Sequence, residues 1–139
     1  MTDNQNAAAW FVDRHPEEGR GDKAAFREAA GAQRSLSYGA LAEGSARLAG
    51  ALARAGIARE ERVACILLDT IEYPQIFWGA LKAGVQPVAI NTLLATPVYE
   101  AILKDSRAAA VFVSAELWEV AAPAIAASPC IRHVIVTGG

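Results

Sequence analysis

The chain has 139 residues, which is close to the commonest domain size and predicts one domain or one large subdomain, not two full domains. Hydrophobic residues make up 53% of it and charged residues 20%, spread without blocks, so the composition excludes a disordered chain. The net charge of −2 gives no electrostatic reason to expect a nucleic-acid or acidic-membrane partner. No apolar stretch approaches the roughly 20 residues that cross a bilayer, so no membrane partner is expected.

Two features of the sequence predict a cytoplasmic location. Residues 1–22 carry acids where a signal peptide carries basic residues, and Asp13 and Arg14 interrupt the apolar run there. Cys65 and Cys130 belong to no CxxC pair and have no histidine spacing typical of a metal site. We therefore interpret both as plain reduced thiols in a reducing compartment.

The beginning of the chain predicts a short helix, a loop and then a β-hairpin. Proline and glycine mark the loop, and Ala30-Gly31 marks the turn between the two strands. The segments are Asn6 to about Phe11 for the helix, Pro16 to Gly21 for the loop, and Lys23–Glu28 with Gln33–Leu36 for the strands.

A longer helix is predicted next, with Ser37 as its N-terminal cap. Leu41, Leu48 and Leu52 recur at helical spacing and therefore share one face. Gly56 follows the last of them and is expected to end the helix in a left-handed conformation.

The stretch from Arg62 to Leu94 predicts a βαβ unit. Arg62–Leu68 is a continuous apolar run of strand length, typical of a strand buried on both faces. Asp69 and Glu72 have the spacing of a capping box at the start of the next helix, with Thr70 as the competing cap, and Gly84 closes that helix.

The same alternation of strand and helix then repeats. The predicted elements are the strand Pro87–Ile90, a helix capped by Thr96 with Pro97 in its first turn and ending near Ser106, the strand Ala109–Val113, a helix capped by Ser114 and running toward Ala127, and the strand His133–Val136. Such alternation predicts an α/β fold, in which right-handed crossovers lay the strands in one largely parallel sheet covered by helices.

The sequence contains few candidate catalytic or binding residues. His15 and His133 are isolated from any serine, cysteine or aspartate arrangement that would form a nucleophile and base, so we interpret both as structural. Gly138-Gly139 follows a strand but precedes no helix, and neither GxGxxG nor the Walker GxxxxGK pattern occurs.

Two positions could contribute to a ligand site. Asp69 follows a buried strand at the carboxyl edge of the sheet, where α/β proteins bind ligands, although we favour its capping role. Phe77 and Trp78 could line an aromatic pocket, although aromatic residues on such a helix are more often part of the core.

Several segments together resemble the N-terminal region of adenylate-forming acyl-CoA synthetases, the AMP-binding superfamily. They are Arg62-Val63, Leu67 to Pro74 (LLDTIEYP), Gly79 to Gly84 (GALKAG), Pro87-Val88 and Asn91, with Leu36 to Leu41 and Asp105-Ser106-Arg107 in the expected order on either side. Asp69-Thr70 and Asn91-Thr92-Leu93-Leu94, in place of the commoner Asn-Ser and Asn-Pro, resemble the benzoate-CoA ligase branch, as do Asn6-Ala7-Ala8 and Gly19 to Lys23.

The resemblance implies an enzyme that uses ATP, Mg and coenzyme A. Such ligases convert an aromatic carboxylate into an acyl-adenylate with loss of pyrophosphate and then transfer the acyl group to coenzyme A. Their phosphate loop, adenylate-binding motif and C-terminal lysine do not occur in this sequence. We therefore expect residues 1–139 to be an N-terminal fragment, a subdomain of the ligase large domain, with the phosphate-loop region and C-terminal domain absent. No catalytic, cofactor-binding or metal-binding residue can be assigned, and the fragment alone is expected to be inactive.

Other interpretations remain open. The parent could be another adenylate-forming enzyme, such as a medium-chain acyl-CoA synthetase or an amino-acid adenylation domain, or the chain could be a non-catalytic α/β binding module. A downstream phosphate loop and lysine in the parent gene would support a ligase, and a stop codon after Gly139 would support the module. The resemblance also leaves a homodimer of the parent open.

Overall fold

The computed structural model of the chain describes residues 6–138. Two units form within it. The first comprises the described residues up to Ala58 together with Asp69–Gly84, and the second comprises Arg59–Leu68 with the described residues from Val85 on. The strands are β1 (Ala24–Arg27), β2 (Ser35–Ser37), β3 (Arg62–Ile66), β4 (Gln86–Ala89), β5 (Ala110–Ser114) and β6 (His133–Thr137). The helices are α1 (Arg14–Glu17), α2 (Tyr38–Arg54), α3 (Glu72–Lys82), α4 (Thr96–Ser106) and α5 (Trp118–Ala126).

The opening helix of the first unit extends further than predicted. A π-helical turn over Ala9–Asp13 leads directly into α1, which contains Pro16, so the expectation that Pro16 ends the helix is wrong. Proline has no N–H to donate, and its ring clashes with the carbonyl four residues earlier in a regular α-helix. The π-helical turn widens the backbone just before Pro16, and the helix passes through it.

The hairpin and the long helix agree with the prediction. Strands β1 and β2 pair antiparallel, with Phe26 opposite Leu36. The hydroxyl of Ser37 accepts a hydrogen bond from the N–H of Ala40 at 3.1 Å, which confirms Ser37 as the cap of α2. Gly56 follows the helix with a φ of +76°, a left-handed conformation that glycine adopts without steric cost.

Helices α2 and α3 pack closely because a glycine lies at their contact. A side chain on Gly79 would place its Cβ 2.7 Å from the Cβ of Leu48 and 3.0 Å from the carbonyl oxygen of Ser45. Ser45 is fully buried and donates its hydroxyl to the carbonyl of Leu41 at 2.7 Å. The helices can therefore approach to a distance that excludes any side chain at residue 79.

The second unit contains the predicted parallel sheet. Its order is β4-β3-β5-β6 among the described residues, and each neighbouring pair is parallel, which confirms the α/β fold class. The sheet and the helices α4 and α5 share one core, whose buried residues are Ala64, Ile66, Ile90, Tyr99, Leu103, Ala108, Val111, Val113, Ala121, Ala124 and Ile125. Strand β5 lies between two neighbours and is buried throughout, as its apolar sequence predicts.

Two predicted helix caps in this unit are wrong. Ala95, not Thr96, occupies the cap position of α4, and the hydroxyl of Thr96 donates to the carbonyl of Val120 at 2.8 Å. Ser114 occupies the cap position of the 3-10 turn Ala115–Leu117 that leads into α5, but its hydroxyl makes no capping bond and accepts from the N–H of Leu68 at 2.9 Å. Since Leu68 follows the end of β3, its half-buried N–H needs an acceptor, and Ser114 of the neighbouring strand supplies one.

None of the helices within residues 6–138 has the length and hydropathy needed to cross a membrane.

We predict that Gly79→Ala destabilises the chain by about 1–3 kcal/mol, because the added methyl group would overpack the contact with Leu48. The matched control is Gly50→Ala on α2, where a Cβ would meet the flexible Arg54 side chain at 3.2 Å. Alanine there should stabilise the helix by about 0.5–1 kcal/mol. Urea unfolding followed by circular dichroism measures both, and a neutral Gly79→Ala variant would contradict the close packing.

Candidate functional site

A cavity of about 420 Å³ lies in the first unit, between β1 and the beginning of α3. We call it the aromatic groove. Its lining residues are Phe26, Arg27, Glu28, Asp69, Thr70, Ile71, Tyr73, Pro74, Phe77 and Trp78. The volume is within the usual range of small-ligand pockets, and the lining combines apolar side chains with a few polar groups.

The aromatic side chains of the groove come from two elements. Phe26 lies on β1, and Phe77 and Trp78 lie on α3 with their rings 5.5 Å apart and nearly perpendicular. Trp78 also packs against the buried cluster that contains Val12 and Leu36. Trp78 therefore packs against the core, as the sequence indicates. Phe77 and Trp78 also line the groove, so they form part of an aromatic pocket as well.

One side of the groove is organised around the carboxylate of Glu28. Its side chain is only 6% exposed although it is charged. The carboxylate accepts hydrogen bonds from the backbone N–H of Arg34 and from the backbone N–H of Ile71, each at 3.0 Å. Glu28 therefore joins the hairpin to the residue just before α3.

Arg34 completes this cluster by contacting two carboxylates. Its guanidinium donates to Glu28 at 2.7 Å and to Glu72 at 2.6 Å. The hydrogen bonds from Arg34, followed by the one from the Ile71 N–H, lower the pKa of Glu28 to about 2. Hydrogen bonding to Arg34 also lowers the pKa of Glu72, and the two carboxylates raise the pKa of Arg34.

The predicted capping box at Asp69 and Glu72 is wrong. Ile71 occupies the cap position of α3 and makes no side-chain cap hydrogen bond. Glu28 accepts the Ile71 N–H instead, and the Glu72 carboxylate accepts hydrogen bonds from Arg34. The Asp69 side chain is exposed and lines the groove, with no hydrogen bond to another described residue.

The candidates His15, Cys65 and Cys130 are not among the residues that line the aromatic groove. His15 accepts a hydrogen bond from Arg20 at 3.0 Å and stacks on Tyr38. Cys65 and Cys130 are both free, and burial raises the pKa of the Cys65 thiol to about 12. No group of three or more histidine, cysteine or acidic side chains in residues 6–138 could hold a metal ion.

Sequence reasoning missed Glu28 and Arg34. Their positions at the two ends of the predicted hairpin turn would have indicated a cross-strand ion pair. The contact with Ile71 has no comparable signal, because 43 positions separate that residue from Glu28 in the sequence.

We predict that Glu28→Gln destabilises the fold at neutral pH and that this effect disappears in acid. The folded-state pKa of Glu28 is about 2, below its ordinary value of 4.5. The ionised carboxylate therefore stabilises the fold above about pH 4.5, and this contribution is lost as the pH falls toward 2. Unfolding midpoints of wild type and variant from pH 7 to pH 2 should converge in that window. Glu43→Gln, on an exposed carboxylate of α2, is the control, and parallel curves for Glu28→Gln would contradict the assignment.

The chain is 47% identical to the 4-hydroxybenzoate-CoA/benzoate-CoA ligase of Rhodopseudomonas palustris over 96% of its length and 24% of that protein. It is 39% identical to the benzoate-CoA ligase of Thauera aromatica, covering 100% of the chain and 26% of that protein. A crystal structure of a benzoate-CoA ligase from Burkholderia xenovorans superposes with a TM-score of 0.85 at 38% identity, over 96% of this chain and 26% of that one.

The chain thus spans about a quarter of the length of the relatives it matches. The family profile described as AMP-binding enzyme matches residues 12–138, which includes both units of the structure. By this match over nearly its whole length, the chain belongs to the AMP-binding enzyme family.

Proposed function

We propose that residues 1–139 are the N-terminal part of an aryl-CoA ligase that activates benzoate or a closely related aromatic carboxylate. The observation that supports this most is the 47% identity to a 4-hydroxybenzoate-CoA/benzoate-CoA ligase over 96% of the chain. In the parent reaction, a carboxylate oxygen displaces pyrophosphate from ATP to give an acyl-adenylate, and the thiol of coenzyme A then displaces AMP. The first step is needed because a free carboxylate has no good leaving group.

The described residues do not themselves fit ATP or Mg. Neither strand-to-helix connection after β3 or β4 contains a glycine, so neither has the flexible loop that turns backbone N–H groups toward a phosphate. Residues 6–138 also hold no cluster of metal-binding side chains. We therefore assign the nucleotide, metal and coenzyme A sites to the parent chain beyond this segment, and we assign a scaffold role to the segment itself.

We also propose a cytoplasmic location for the parent. This rests on the free state of both cysteines. A homodimer of the parent is a further proposal, which gel filtration with light scattering would test.

We predict that the full-length parent prefers benzoate to hexanoate and palmitate. A flat apolar slot gains by burying both faces of an aromatic ring, and each methylene it cannot accommodate costs about 1–3 kcal/mol in discrimination. The measurement is kcat/KM for the three acids in the presence of ATP, Mg and coenzyme A. A preference for either aliphatic acid would assign the parent to the general acyl-CoA synthetases.

We predict that the 139-residue chain alone releases no pyrophosphate from ATP in the presence of benzoate and Mg. The physical reason is that the described residues supply no phosphate-binding loop and no metal site. A coupled pyrophosphate assay measures this, with the full-length parent as the positive control. Turnover above background by the purified chain would overturn the scaffold role.

A further inference from the structure

The first unit exposes two large aromatic side chains at the aromatic groove. Phe11 is 55% exposed and Phe26 is 43% exposed. The ring of Phe11 lies 5.8 Å from that of Trp78, so the exposed surface is continuous with the wall of the groove. Soluble proteins rarely leave large contiguous apolar surfaces in water, and such a surface indicates a contact with another group.

The hairpin beside the groove is also incomplete as a sheet. Among the described residues β1 pairs only with β2, so each strand has a free edge. The buried cluster that contains Leu36 gives the hairpin a packed apolar surface on one side, and its edges remain unpaired. An unpaired edge accepts an additional extended segment through its backbone groups.

The polar groups at the rim of the groove are available for a partner. The side chains of Arg27 and Asp69 are both exposed and make no hydrogen bond or ion pair with another described residue. Glu28, in contrast, is already neutralised by Arg34 and does not need a further partner. The groove therefore combines an apolar floor with charges of both signs at its edge, as the buried core and polar rim of a protein contact do.

The groove could be filled by another segment of the parent polypeptide, by a second copy of the chain or by a free ligand, and the length of the parent favours the first. The relatives that the chain matches extend over about four times its length, because it covers 24% and 26% of the first two. If the parent is a ligase of that size, most of its polypeptide lies outside this segment and close to its surface. A covalently attached segment has a high effective concentration, which favours it over a second copy or a free ligand.

We infer that the aromatic groove is an internal packing surface of the parent ligase, filled by apolar side chains of the polypeptide beyond residue 139. The inference rests on the proposed function, because it requires a longer parent chain. It assigns Phe26, Phe77 and Trp78 to an intramolecular contact and excludes them from binding the aromatic carboxylate.

Thiol labelling of the full-length parent tests this inference. Phe26→Cys and Arg27→Cys are made separately in a Cys130→Ser background, and alkylation by iodoacetamide is followed by mass spectrometry of the peptide that contains each site. Glu43→Cys is the exposed control, since the Glu43 side chain is 76% exposed on the same unit. The fully buried native Cys65 gives the lower limit of the rate. Each rate is divided by the rate for the same site in the denatured parent.

We expect the groove cysteines to react at least about tenfold more slowly than Glu43→Cys, because the attached chain covers them. A smaller difference at Arg27→Cys, the milder of the two substitutions, would overturn the inference. Protection that is lost on dilution would assign the groove to a second copy, and protection that requires added benzoate would assign it to a ligand. Either result would also overturn it. The kcat of the same preparations tests the ligase function separately, so an active parent with an open groove refutes the packing surface alone.

Discussion

The hydrogen bonding of the Glu28 carboxylate is the interaction on which the candidate site depends. A charged side chain that is only 6% exposed needs hydrogen-bond partners, and here Arg34 and the Ile71 N–H supply the donors. The same contacts hold the end of β1 against the residue before α3. Together with the ion pair between Arg34 and Glu72, they link the hairpin to the beginning of α3.

Close helix packing supports the other wall of the groove. Gly79 allows α3 to lie directly against Leu48 and Ser45 of α2, and Trp78, the adjacent residue, is thereby placed between the buried cluster and the groove. A larger residue at position 79 would push α3 away from α2 and displace the aromatic side chains with it. The position of the groove therefore depends on the close approach of the α2 and α3 backbones as well as on the aromatic residues.

In the proposed parent ligase, this segment has the role of a scaffold. The described residues supply a parallel sheet, covering helices and an aromatic surface, but no metal cluster and no phosphate-binding loop after β3 or β4. The segment resembles the benzoate-CoA ligases through residues such as Asp69-Thr70 that identify its lineage. Such residues need not touch the acyl group, so substrate preference has to be measured on the whole enzyme.

The sequence by itself determined the fold class, the order of the elements and the caps that depend on neighbouring residues. Uninterrupted apolar runs predicted the parallel strands, and Ser37 and Gly56 marked the ends of α2, because these signals depend on contacts within a few residues. Only the tertiary structure decided the roles of Asp69, Thr96 and Ser114. In each case a bond between residues far apart in the chain replaces the expected cap. Glu28 accepts from the N–H of Ile71, Thr96 donates to the carbonyl of Val120, and Ser114 accepts from the N–H of Leu68. A polar group bonds to whichever partner folding brings within reach, and local spacing does not contain that information.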